Sequence, residues 1–226
     1  MNLIQTEFGC VNLDKAKNLA VVAGMHGDEI SGVTVLQSAK DWLKAENFHV
    51  TVIPILNPKG YAQKVRFFDE VDLNHIMPGE SQSEAGIHAK LICETLSDVD
   101  AVVDLHSARV GQINYPHVRA NLADEDTRKL AMSQPFPVVH WPATPTTLRG
   151  VLFTKNIPAI TVEAGEGLQA MFDLELKELV NAVCQGMNCK PCVFTQRKWV
   201  LANDEDECIV DPGSIVEKNQ VISKNG

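Results

Sequence analysis

The chain has 226 residues, of which 45% are hydrophobic, and 20 basic residues stand against 29 acidic ones for a formal net charge of −9. That length buries a sizeable core, as one large domain or as one domain with a small appendage. The acidic balance argues against a nucleic-acid or anionic-membrane surface, no basic-then-apolar leader opens the chain and no apolar run is long enough to span a bilayer, so a cytoplasmic protein is expected.

Asn2 to Val11 reads as a first edge strand, followed by a polar turn at Asn12 to Asn18. Leu19 to Gly24 is an apolar run bounded by turn signals, the pattern of a strand covered on both faces. It delivers His26-Gly27-Asp28-Glu29 into a turn that opens a helix over Ile30 to Asn47, where apolar residues recur at helical spacing. Val50 to Leu56 is a second buried strand, stopped at Asn57-Pro58. Lys59 to Ser83 shows no period, and a long segment of that kind inside a compact domain is usually functional. Ser83 caps a helix running to Ser97. Val99 to Leu105 is a third buried strand, ending on Asp104-Leu105-His106-Ser107. After it come an irregular region (Ala108 to Asn121), a short charged helix (Leu122 to Ser133) and a Pro-rich loop (Gln134 to Pro145). A helix over Thr147 to Lys155, a fourth buried strand over Ala159 to Val162 leading into Glu163, and a helix over Leu168 to Met187 complete the series.

Apolar strands alternating with helices predict an α/β fold with a mixed, mostly parallel central sheet and helices on both faces. Ligands in such folds bind beyond the carboxyl ends of the strands. Three of those ends carry His26 with Glu29, His106, and Glu163. A bare His-x-x-Glu pair arises by chance in roughly every second chain of this composition; three independent strand exits with these residue types are far rarer. Two imidazoles and one carboxylate, with a further carboxylate beside an open position, make the composition of a catalytic zinc site. Cys184, Cys189, Cys192 and Cys208 approach an iron–sulfur spacing, but their setting in a helix and the turn after it reads as free thiols in a reducing compartment. His49, His88, His117 and His140 have no partner at ligand spacing and read as surface or satisfied core residues, and Trp42, Trp141 and Trp199 as packing residues.

Taken together, His26-Gly27-Asp28-Glu29, Asn57-Pro58, Arg66 before Asp72-Leu73-Asn74-His75, Asp104-Leu105-His106-Ser107 and Thr161 to Gly167 resemble the succinylglutamate desuccinylase/aspartoacylase family, part of the wider zinc carboxypeptidase group. The resemblance implies a zinc carboxypeptidase-like fold and one zinc ion held by His26, Glu29 and His106. It implies that Glu163 is the general base and acid acting on zinc-activated water, and that Arg66 stabilises the oxyanion. One position departs from the family pattern. Where members carry Asn-Arg to grip a substrate carboxylate, this chain has Asn74-His75, and histidine lacks the permanently charged fork of arginine. Arg109, Arg119 and Arg149 are substitutes near the strand exits, with Arg149, ahead of the last catalytic strand, preferred.

From Val193 the texture changes to short alternating segments, with strands expected at Phe194 to Leu201 and Cys208 to Val210. The expected division is therefore an α/β hydrolase domain at 1–192 and a short β-rich C-terminal segment at 193–226, a partial version of the family's β domain. Its edge is expected to pair with the main sheet or with a second copy in a homo-oligomer. The functional expectation is a zinc-dependent amidohydrolase or deacylase cleaving the C–N bond of an N-acyl amino acid or related small acylated compound. A metallocarboxypeptidase acting on short peptides and a non-catalytic zinc-binding protein are the alternatives; neither nucleic acid nor membrane is an expected partner.

Overall fold

The structure, a computed structural model, describes residues 6–8, 18–45, 50–109, 116–132, 134 and 136–164, with two-residue strands at 193–194, 207–208 and 223–224. In chain order these form β1 (Thr6–Phe8), β2 (Leu19–Ala23), α1 (Ile30–Ala45), β3 (Val50–Ile53), α2 (Pro58–Gln63) and a 3-10 turn (Leu73–His75). They continue with α3 (Glu84–Thr95), β4 (Ala101–Ser107), β5 (His117–Ala120), α4 (Glu125–Met132), β6 (Val138–His140), α5 (Leu148–Thr154) and β7 (Ala159–Ala164). The short strands are β8 (Val193–Phe194), β9 (Glu207–Cys208) and β10 (Ser223–Lys224). The expected helix at Leu168 to Met187 and most of the tail lie outside the described residues.

Eight strands form one sheet in the order β1-β3-β2-β4-β7-β5-β6-β8. β3, β2, β4 and β7 are mutually parallel, as are β5, β6 and β8, and the two groups meet antiparallel at β7 and β5. β1 closes the far edge antiparallel to β3, while β9 and β10 pair antiparallel in a separate two-stranded sheet. This is the mixed, mostly parallel α/β sheet anticipated from the alternation of elements.

Every residue of β2, β3, β4 and β7 is buried, which explains why their sequences run apolar without alternation. Side chains of each strand divide between two cores. Val21 and Val103 pack with Val33 and Leu36 of α1 and Leu130 of α4 on one face. Ala20, Val22 and Val102 pack with Ala89 and Ile92 of α3 and Leu152 of α5 on the other. On this second face the sheet turns polar toward the carboxyl ends of β4 and β7, where Asp104, His106, Thr161 and Glu163 follow Val102 and Ala159 at spacings of two.

Three segments expected to be irregular contain regular structure. Inside Lys59 to Ser83, α2 begins at Pro58, the residue expected only to stop β3. Asn57 caps it by accepting from the Gly60 amide, and Lys64 ends it at φ 56; proline at the first helical position loses no hydrogen bond. β5 lies within Ala108 to Asn121 and β6 within Gln134 to Pro145. At six, four and three residues, none of them is long enough to display a period.

Candidate active site

β2 ends at Ala23, and Gly24 turns the chain at φ +64, a left-handed conformation that costs a side-chain-bearing residue far more than glycine. The loop beyond is tied to the exit of β3: Leu56 N donates to Ala23 O at 2.9 Å and Asn57 N to Gly24 O at 2.8 Å. Buried Asn57 also donates from Nδ2 to Arg66 O at 3.2 Å, and Gly27 N donates to the same carbonyl at 3.4 Å. The Asn57-Pro58 pair thereby starts α2 and fixes both His26-Gly27-Asp28-Glu29 and the backbone of Arg66.

His26, Glu29 and His106 are all buried, and one donor atom from each lies within 4.8 Å of the others. Glu29 sits between the imidazoles: Oε1 is 2.6 Å from His26 Nδ1 and Oε2 is 3.0 Å from His106 Nδ1. The outer ring nitrogens face carboxylates, His106 Nε2 at 2.9 Å from Asp104 Oδ2 and His26 Nε2 at 3.4 Å from Asp72 Oδ1. An imidazole backed by a carboxylate is the usual surrounding of a metal-binding histidine. Burial opposes charge on Glu29, but His106 and His26 outweigh it and hold the carboxyl well below its ordinary range. Burial likewise opposes a proton on His106, and the carboxylates of Asp104 and Glu29 overcome it, so the ring titrates well above its usual value. Three carboxylates around two buried imidazoles form a donor set that a divalent cation fits, since the cation takes over the charge the protons would otherwise supply.

The cluster lies in a cavity of about 430 Å³ whose walls include His26, Glu29, His106, Glu163, Arg66, Asn74, His75 and Arg149, with the alternatives Arg109 and Arg119 beside them. Glu163 stands beside His106 in the register of β4 and β7, and its Oε1 is 2.8 Å from Arg119 Nη1. Arg66 is held by Asp72 Oδ2, which accepts from Nε at 2.9 Å and Nη2 at 2.7 Å, while its Nη1 lies 3.5 Å from Glu29 Oε1. Asp72 stays ionised well below the usual carboxylate range because His26 and Arg66 outweigh its burial.

Asn74 is a tie between elements, its Oδ1 accepting from Leu148 N at the start of α5 at 2.9 Å. His75 is 62% exposed and 3.9 Å from Asp72 Oδ2, at the rim of the cavity. Arg149 lies deeper, donating from Nη1 to the Trp141 carbonyl at 3.1 Å. Its own burial, then neighbouring Arg119, lower its pKa to about 10, against the pull of Asp104 and Glu163. Among the described residues no carboxylate pairs directly with it.

Asp104, Asp72 and Trp141 were not assigned these places from sequence, while Arg119, one of the alternatives offered for a substrate carboxylate, lies against Glu163. Asp104 was within reach, because an acid two residues before a strand-end histidine shares its face. Trp141, expected to be a packing residue, lines the cavity and lies under the Arg119 guanidinium at 4.3 Å. His88 is the satisfied core residue expected, its Nε2 2.7 Å from Leu56 O and its ring stacked on Phe68.

Solved structures with this fold include a succinylglutamate desuccinylase/aspartoacylase from Rhodobacter sphaeroides, at TM-score 0.78 and 16% identity over 97% of this chain and 74% of that one. A succinylglutamate desuccinylase from Silicibacter sp. TM1040 superimposes at TM-score 0.76 and 18% identity, with 97% and 74% covered. The product-bound ectoine utilization protein EutE (DoeB) from Ruegeria pomeroyi does so at TM-score 0.75 and 18% identity, with 92% and 73% covered. No curated protein matches the chain significantly. A family model described as the succinylglutamate desuccinylase/aspartoacylase catalytic domain matches residues 15–183, and the chain therefore belongs to the succinylglutamate desuccinylase/aspartoacylase family of deacylases.

Proposed function

We propose that the protein is a zinc-dependent hydrolase of the amide bond in a small N-acyl amino acid or a closely related acylated compound. The observation that carries this reading is the convergence of His26, Glu29 and His106, with Glu163 beside them, in one cavity. A single zinc ion held by those three residues supplies Lewis acidity, making water nucleophilic at neutral pH and drawing electron density from the scissile carbonyl.

The rest of the chemistry belongs to side chains. Glu163 takes a proton from the attacking water and passes it to the amide nitrogen as the C–N bond breaks, so that amide and water leave as carboxylate and ammonium. Arg66, anchored on Asp72 through Nε and Nη2, keeps Nη1 toward the metal ligands, where a fixed cation steadies the negative charge that develops on the carbonyl oxygen. Arg149 is the group we assign to a substrate carboxylate, because it is a cation in a buried place that pairs with no carboxylate among the described residues. Asn74 and His75 complete the wall on that side, with His75 at the mouth. The site's chemistry calls for a small acylated substrate and for neither nucleic acid nor membrane, and we place the protein in the cytoplasm; among the described residues no helix is long and apolar enough to cross a membrane.

The test combines metal analysis of the purified protein with a panel of N-acyl amino acids, their decarboxylated N-acylamine counterparts, and dipeptides. One zinc per chain and hydrolysis confined to the N-acyl amino acids is the expected result. Preferential cleavage of dipeptides would replace the reading with a carboxypeptidase, and full zinc occupancy without turnover of any compound would replace it with a binding protein. Glu163→Gln should retain zinc and lose about 10²–10⁴-fold in kcat.

A further inference from the structure

Among the arginines of the cavity, Arg119 differs in being fixed on three sides by the protein itself. β5 runs antiparallel to β7, with His117 opposite Glu163 and Arg119 opposite Thr161, so all four side chains rise from the same face of the sheet. From the Thr161 row, Arg119 reaches one step along the neighbouring strand to Glu163 Oε1, 2.8 Å away. Its guanidinium lies 4.3 Å above the Trp141 ring, and its Nε donates to His117 Nε2 at 3.2 Å. A planar cation stacked on an indole and tethered at Nε keeps little rotational freedom, and that rigidity passes to whatever carboxylate it holds.

We infer that Arg119 is a positioning residue for Glu163, fixing the carboxylate at the angle proton transfer needs, and that it does not bind substrate. The inference rests on the hydrolase reading for the role of Glu163, while the contact itself is geometric. It assigns separate tasks to two neighbouring arginines: Arg119 holds the acid of the protein, and Arg149, whose hydrogen bond goes to a main-chain carbonyl, meets the acid of the substrate. A carboxylate freed from such a clamp samples geometries unsuited to transfer, and an error of about 1 Å in a catalytic group costs on the order of 10²-fold in rate.

The test is a kinetic double-mutant cycle on the zinc-loaded protein, together with carboxyl ¹³C NMR of glutamate-labelled protein, in which Glu163 is assigned by its absence from Glu163→Gln. Arg119→Met should lower kcat by about 10- to 100-fold with KM little changed, Arg119→Lys should recover part of that loss, and adding Arg119→Met to Glu163→Gln should cost nothing further. The Glu163 resonance should move in Arg119→Met and stay in place in Arg149→Met. A raised KM with kcat intact, losses that multiply, or an unmoved resonance would overturn the inference. The NMR comparison needs no turnover, so a protein that hydrolyses nothing would fail the hydrolase reading without deciding the contact.

Discussion

Gly27→Ala is the substitution with the most exacting consequence. A Cβ built at Gly27 falls 1.9 Å from the Gly60 carbonyl carbon, 2.2 Å from Tyr61 N and 2.4 Å from Gly60 O, where ordinary contact begins at 3.4 Å. The two backbones must therefore part by about 1.5 Å, the difference between 3.4 and 1.9 Å. Helix α2 resists moving because Asn57 Oδ1 accepts from Gly60 N at 2.8 Å. The other side of the contact carries His26 and Glu29, the residues on either flank of Gly27. Metal–ligand distances tolerate deviations of only about 0.2 Å, so a displacement several times larger disrupts binding before it unfolds the protein. The expected result is a folded variant, less stable by about 1–3 kcal/mol as overpacked sites are, with zinc affinity at least tenfold weaker in competition against a chromogenic chelator. Gly86→Ala is the control: its Cβ falls 2.2 Å from Ser81 Oγ and 2.4 Å from Ser81 O, a comparable overlap at the start of α3, which contributes no residue to the cavity wall. A folded Gly27→Ala protein that holds zinc as tightly as wild type would refute the argument that this backbone contact sets the ligand geometry.

Asp104→Asn removes the charge behind His106 Nε2 and should weaken zinc binding by roughly 10- to 100-fold in the same assay, the usual cost of losing a carboxylate behind a metal-binding histidine. Arg149→Met should raise KM for N-acyl amino acids by tenfold or more and leave the already poor N-acylamines unaffected; an equal effect on both would show that Arg149 does not read the carboxylate. Burial pushes the Cys93 thiol up to about 11 from 9.0. A group whose folded pKa is raised contributes stability that is complete below the unfolded value and disappears as pH climbs through the folded one. The stability of wild type relative to Cys93→Val should accordingly fall between pH 9 and 11, and a urea-midpoint difference that stays constant over that range would contradict the burial argument.

The convergence of His26, Glu29 and His106 was legible in the sequence because a parallel sheet converts sequence positions into places. Apolar runs identify β2, β4 and β7, and the first polar residues after or at the end of each must lie at a common edge. His26 with Glu29, His106 and Glu163 followed from that rule before any pairing was known. What did not follow was whatever depends on elements too short to carry a period. Helix α2 was hidden because Pro58 signals both the end of a strand and the first turn of a helix, yet α2 provides the backbone against which the His26 loop is set. The Asp72–His26 contact was hidden because it joins a loop to the turn beyond β2, and nothing in local spacing announces a contact of that range.

Arg119 is the instructive case. From sequence it stands only as one of three arginines offered for a substrate carboxylate, since in a wholly parallel sheet the polar residues of a site come from the last positions of each strand and the loops after them. β5 runs the other way: its first residue, His117, stands opposite Glu163, so the strand enters the sheet at the site and leaves away from it. The side chains that β5 brings to the cavity then come from its beginning, in a segment of only four residues with alternating burial. The same reversal explains the close approach of Arg119 to Glu163, since antiparallel neighbours on one face bring diagonal partners within reach of long side chains. Where the strand direction of a mixed sheet reverses, as it does between β7 and β5, the opening residues of the first reversed strand are therefore the place for charges that complement the exit of the strand beside it.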